Sequence, residues 1–157
     1  MPDLHRRQVQ PRFPDLRTPK PRARTLNAYV YAATVRSVYD GDTIKVDVDL
    51  GFSVHLHTSA RLLGCNAIEL SQPGGVEARN NLRALLPTGT VITLRSVLVD
   101  KFGGRVDAQV TLPDGTDLVT GLIAAGWAAV WSGAGPRPVP AWPRPWEVPD
   151  DVHAHPG

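Results

Sequence analysis

Three short segments of this 157-residue chain carry the residue types that hydrolysis at phosphorus requires. They are Asp40-Gly41-Asp42-Thr43, Arg61-Leu62-Leu63-Gly64-Cys65-Asn66-Ala67-Ile68-Glu69 and Asp100-Lys101-Phe102-Gly103-Gly104-Arg105. Each sets a carboxylate or an arginine at the end of a strand-like run. Such a reaction brings water in line with a leaving oxygen and must stabilise extra negative charge on phosphorus. A hard cation held by oxygen ligands can polarise the phosphoryl oxygen. A carboxylate can take the proton of the water. Guanidinium groups, always charged and fork-shaped, suit phosphate. Asp42 is the best ligand candidate for the cation. Read alone, each segment also has a plainer explanation: an Asp-Gly hairpin turn, a strand-edge charge at Arg61, a loop carboxylate at Glu69, a surface arginine at Arg105.

The elements that must position these groups are legible in the periodicity. A strand-like run starts at Tyr29, and Asp40-Gly41 reads as a tight turn that tolerates positive φ. Ile44, Val46, Val48 and Leu50 then alternate with Lys45, Asp47 and Asp49, the pattern of a half-buried strand. Gly51-Phe52 turns the chain into a third strand, with Val54, Leu56 and Thr58, that runs to about Cys65. The period predicts a helix over 75–86, with Val76, Leu82, Leu85 and Leu86 on its apolar face, Ala78 nearby and Pro73 near its start. Strand pattern returns at 91–97, where Ile92, Leu94 and Val97 share a face, and at 106–112. Thr116 or Asp117 can cap a second helix that buries Leu118, Val119, Leu122 and Ile123 and stops near Gly126. Three strands, a helix, two strands and a helix fit a β-rich α+β domain, a five-stranded barrel of the oligonucleotide-binding type.

Composition bounds the rest. The length suits one domain. Twelve of the 15 prolines lie in residues 1–27 and 132–157, where their missing donors and fixed φ argue against regular structure. The expected organisation is a basic Pro-rich arm over 1–27, a folded body over 28–131 and a Pro-rich tail over 132–157. The arm carries a net charge of +5 and the body −2, so the arm can add salt-sensitive attraction to a polyanion, or it is a solvated leader with no role. No run has the roughly 7–15 apolar residues of a signal-peptide core, and none spans a bilayer. The single Cys65 excludes an internal disulfide. A reduced, cytoplasmic setting without membrane contact is expected.

On its three segments the chain resembles the staphylococcal (micrococcal) nuclease-like domain family, over roughly residues 28–131. The resemblance implies an oligonucleotide-binding barrel, with Asp42, Asn66 and the backbone carbonyl of Ala67 as Ca²⁺ ligands. It implies that Glu69 positions and deprotonates the attacking water and that Arg61 and Arg105 clamp the phosphate. Arg61 and Glu69 keep the family's eight-residue spacing. Phe102 takes an aromatic position that is usually tyrosine, and Trp131 is a candidate for stacking on a base or for the core; Trp127 reads as core. His55 and His57 share a strand face and read as exposed. The chain departs from the family at Asn66, where a second aspartate is usual, at Ile68, where proline is usual, and in the extra glycine of Gly103-Gly104. The family's third, C-terminal helix is expected to be absent. The function implied is a Ca²⁺-dependent nuclease, a monomer acting on DNA or RNA, preferably single-stranded, with little sequence specificity. The alternative is a catalytically weak or inactive nucleic-acid-binding or scaffold module. The prolines around 136–145 could also dock a protein partner as a polyproline segment.

Overall fold

The computed structural model describes residues 29–99 and 104–142. Their order is β1 (Val30–Val38), β2 (Thr43–Asp49), β3 (His55–Leu62), β4 (Cys65–Ala67), α1 (Gly75–Leu85), β5 (Val91–Val99), β6 (Arg105–Thr111), α2 (Leu118–Ala124) and β7 (Ala128–Val130). Five strands close into a barrel in the order β1-β2-β3-β6-β5, with β5 also paired to β1. All these pairings are antiparallel except β3 with β6, which is parallel. The fold is thus a β-rich α+β barrel with two helices among the described residues, consistent with an oligonucleotide-binding type.

Alternation builds the interior. Ile44, Val46 and Val48 of β2, Ala60 and Leu62 of β3, Ile92 and Leu94 of β5, and Ala108 and Val110 of β6 all point inward and are buried. In β1 a bulge between Val35 and Ser37 shifts the phase, so Ala33, Val35 and then Val38 face the core. Leu82 and Leu86 from the first helical segment, and Leu118 and Leu122 from α2, complete the core cluster. The Asp117 side chain caps α2 by accepting from the Thr120 N–H at 2.8 Å. No helix among the described residues is long and apolar enough to cross a membrane.

Several apolar positions differ from the sequence reading. Leu50, Val54 and Leu56 are exposed, because the core reaches only the barrel end of the β2–β3 hairpin. Val76 and Leu85 are exposed, while α1 buries Leu82 and Ala78 as expected and Gly75 besides. Val97 is exposed because strict alternation from Ile92 and Leu94 already turns it outward, and the bulge between Ser96 and Leu98 leaves Leu98 outside as well. The third strand ends at Leu62. After a turn at Leu63-Gly64, Cys65–Ala67 forms a separate small antiparallel sheet with β7. Past β7 the chain is irregular through 142, as its prolines dictate, yet it returns across the body.

Candidate active site

The β1–β2 turn sets Asp42 at the start of β2. The Asp40 carboxylate accepts the Asp42 N–H at 3.0 Å, and the Asp42 carbonyl accepts the Leu62 N–H at 2.8 Å. Gly41 is not in the left-handed region expected from an Asp-Gly turn. Its need is space: a Cβ there would lie 2.6 Å from the Ala67 Cβ and 3.1 Å from the Ala78 Cβ. Glycine at 41 therefore lets the turn approach β4 and α1 closely.

That approach gathers four of the expected site residues into one buried network. The Arg61 Nη1 donates to Asp42 Oδ1 at 2.7 Å, and its Nη2 donates to Asn66 Oδ1 at 3.2 Å and to the Cys65 carbonyl at 3.5 Å. The other Asp42 oxygen accepts the Ala67 N–H at 3.0 Å. The Thr43 hydroxyl donates to Asp42 Oδ1 at 3.1 Å. Asp42, Arg61 and Asn66 are only 4%, 8% and 2% exposed. Breaking such a pair leaves an uncompensated buried charge, at a cost of about 3–5 kcal/mol. Asn66 is saturated as well: its Nδ2 donates to the carbonyls of Ala67 and Pro138, both at 3.0 Å.

Glu69 stands at the rim of this network, about half exposed, with Arg137 Nη1 at 3.2 Å from its Oε1. Ile68, where the resemblance implies a proline, is buried and positioned by packing. Trp131 lies between the network and the rim. The guanidinium carbon of Arg61 is 5.4 Å, and that of Arg137 5.3 Å, from the centre of its ring. A narrow crevice opens beside Arg61, bounded by Asp107, Trp131 and Gly133. Arg105, first residue of β6, pairs across from Ser59, while Asp107 pairs with Arg61. Arg105 thus shares the outward face with Arg61, one row away. The extra glycine falls before the strand, with Gly104 at φ 81°, so it does not flip that face. Phe102 lies outside the described residues.

Two titratable groups mark the electrostatics. Burial raises the Asp40 carboxyl above its ordinary range, and the negative charges of Asp42 and, more weakly, Glu69 add to this. Burial, then the charge of Asp42, pushes the Cys65 thiol up to about 12, so it is no nucleophile. Sequence reasoning passed over Asp40 and Arg137. The first belonged to the quoted Asp-Gly-Asp motif; the second carried no local signal.

Among the described residues no three His, Cys, Asp or Glu side chains group around a common point. The expected ligands are nevertheless of the right kind: a carboxylate, an amide oxygen and a backbone carbonyl, gathered in one place, suit a hard divalent cation. Here Arg61 stands between Asp42 and Asn66 as their cation. The chain matches no family model and no curated protein, so the reading rests on this geometry.

Proposed function

We propose that the chain is a metal-dependent nuclease of the staphylococcal-nuclease-like type, built on an oligonucleotide-binding barrel, that hydrolyses phosphodiester bonds of DNA or RNA. The observation that supports it is the convergence of Asp42, Arg61, Asn66 and the Ala67 backbone, from three separate elements, beside an exposed Glu69. Asp42, Asn66 and the Ala67 carbonyl would hold a divalent ion, Ca²⁺ first, which would polarise the phosphoryl oxygen. Glu69 accepts a proton from water as the water oxygen bonds to phosphorus. The bond to the 5′ oxygen breaks, that oxygen takes a proton from solvent, and a 3′-phosphate is left. Arg105 would face the phosphate with positive charge, while Arg61 is held by Asp42 and Asn66 in the network behind it. Contacts to backbone and rings carry little sequence information, so specificity is low and single strands are preferred.

A second reading, a binding module without turnover, is favoured by one observation: every side-chain oxygen of Asp42 and Asn66 already accepts from Arg61, Thr43 or Ala67. Cleavage of labelled single-stranded DNA and RNA with Ca²⁺, with Mg²⁺ and with chelator decides between the two. The nuclease reading expects metal-dependent cleavage that Glu69→Gln lowers by about 10²–10⁴-fold while the melting temperature holds. Retained binding with no cleavage under any ion sinks it in favour of the second.

A further inference from the structure

Arg61 was the natural phosphate ligand from the sequence, but its Nη1 and Nη2 are committed to Asp42, Asn66 and the Cys65 carbonyl inside the buried network. Arg137 is differently placed. Among the described residues it makes an ion pair with the exposed Glu69 and lies over the Trp131 ring, and its side chain is 49% exposed, leaving donors open at the mouth of the site. An exposed ion pair of this kind is worth roughly 0–1 kcal/mol, so a phosphate can displace or share it cheaply.

Arg137 is also held there by more than that pair. The Trp131 N–H donates to the Gly64 carbonyl at 3.0 Å and its indole N–H to the Ala134 carbonyl at 3.1 Å. The Pro138 carbonyl accepts from buried Asn66. Further on, the Trp142 ring lies 6.1 Å from that of Trp127 and so close to Gly74 that a Cβ there would meet it at 2.5 Å. Residues 131–142 therefore form a strap fixed at both ends and clipped in the middle. The clip explains the amide at 66: an aspartate has no hydrogen to donate to the Ala67 and Pro138 carbonyls.

We propose that Arg137 is a phosphate-binding residue of this site, presented by the 131–142 strap that Asn66 clips in place. It would take a phosphate of the strand next to the one attacked, stacked over Trp131 and one hydrogen bond from Glu69. The inference rests on the nucleic-acid reading above and adds a residue to it.

The test is binding of a fluorescein-labelled single-stranded DNA to the full chain, in chelator, over a series of salt concentrations, with KM and kcat measured separately in metal. Arg137→Ala should weaken binding roughly tenfold or more, as loss of one charge-assisted hydrogen bond does. It should also flatten the plot of log affinity against log salt by about 0.7, one single-strand phosphate contact. KM should rise more than kcat falls. Arg137→Lys should restore the slope, because the charge returns, but only part of the affinity. Arg36→Ala, a surface arginine paired with Asp47, should leave the slope unchanged. A wild-type slope in Arg137→Ala, tighter binding by it, or an equal loss in Arg36→Ala overturns the inference while leaving the nuclease reading intact. If the wild-type chain neither binds nor cleaves, both fall.

Discussion

The site holds two acid–arginine pairs of similar length, Asp42–Arg61 at 2.7 Å and Glu69–Arg137 at 3.2 Å. Their surroundings make them opposites. The side chains of the first pair are 6% and 10% exposed, those of the second 52% and 49%. In the first, low dielectric and extra hydrogen bonds from Thr43 and the Ala67 N–H lock the charges together. In the second, water screens the attraction and either partner can exchange its neighbour for a ligand. Burial, more than residue type, sorts these groups into a framework and a working edge.

The strongest way to break that contrast is to neutralise the buried acid. Asp42→Asn leaves Arg61 facing a neutral amide, and stability should fall by about 3–5 kcal/mol. That is a loss of about 10 °C or more in melting temperature, read by circular dichroism. A loss below about 1 kcal/mol would mean the pair is no framework. Next in size is Asn66→Asp, which sets a carboxylate against the Ala67 and Pro138 carbonyls. Denaturant titration should show about 1–3 kcal/mol lost. Proteolysis should cut the strap sooner than in the wild type.

Smaller effects sharpen the other side. A double-mutant cycle of Glu69→Gln with Arg137→Gln should give a coupling of only about 0.2–1 kcal/mol, shrinking as salt is added. A coupling that is larger and salt-independent would make this pair framework too. The smallest expected change is at Asp40, which feels the carboxylates of both pairs. Its folded carboxyl is raised above 3.8, so the folded chain binds that proton more tightly than the unfolded one. Asp40 is thus neutral in favour of the fold at low pH, and that benefit is lost as pH rises through the raised value. Asp40→Asn should stabilise the protein slightly at pH 7, with the gain vanishing below about pH 4. A gain that persists at low pH would contradict the raised carboxyl.

Strand alternation and the three segments made much of this legible. Ile44, Val46, Val48, Ala108 and Val110 lie inside as period 2 requires, and Asp42, Arg61, Asn66 and Ala67 meet although 25 residues separate the first from the last. What escaped has physical causes. The bulges in β1 and β5 reset the phase without any residue that announces them. The three-residue strands β4 and β7 are too short to show a period. Arg61 was placed correctly along the chain, but whether a long side chain turns to solvent or to a buried acid depends on the tertiary neighbourhood. The strap was hidden most completely. A Pro-rich run has no periodicity, and its contacts to Asn66 and Glu69 span 72 and 68 residues.

The parallel pairing of Ser59–Leu62 with Arg105–Ala108 joins the first half of the barrel to the second across β3 and β6, as the antiparallel β1–β5 pairing does on the other side. The two arginines expected to face phosphate sit one on each of these strands. Until that seam forms, the strands of Arg61 and Arg105 are tied to each other only the long way round, through β2, β1 and β5. An unclosed sheet therefore carries both arginines without their juxtaposition. Competence arrives with closure, which is among the slower steps for a contact so far apart in sequence. In a refolding experiment, recovery of the proposed cleavage should track barrel closure, lagging behind the appearance of β-structure.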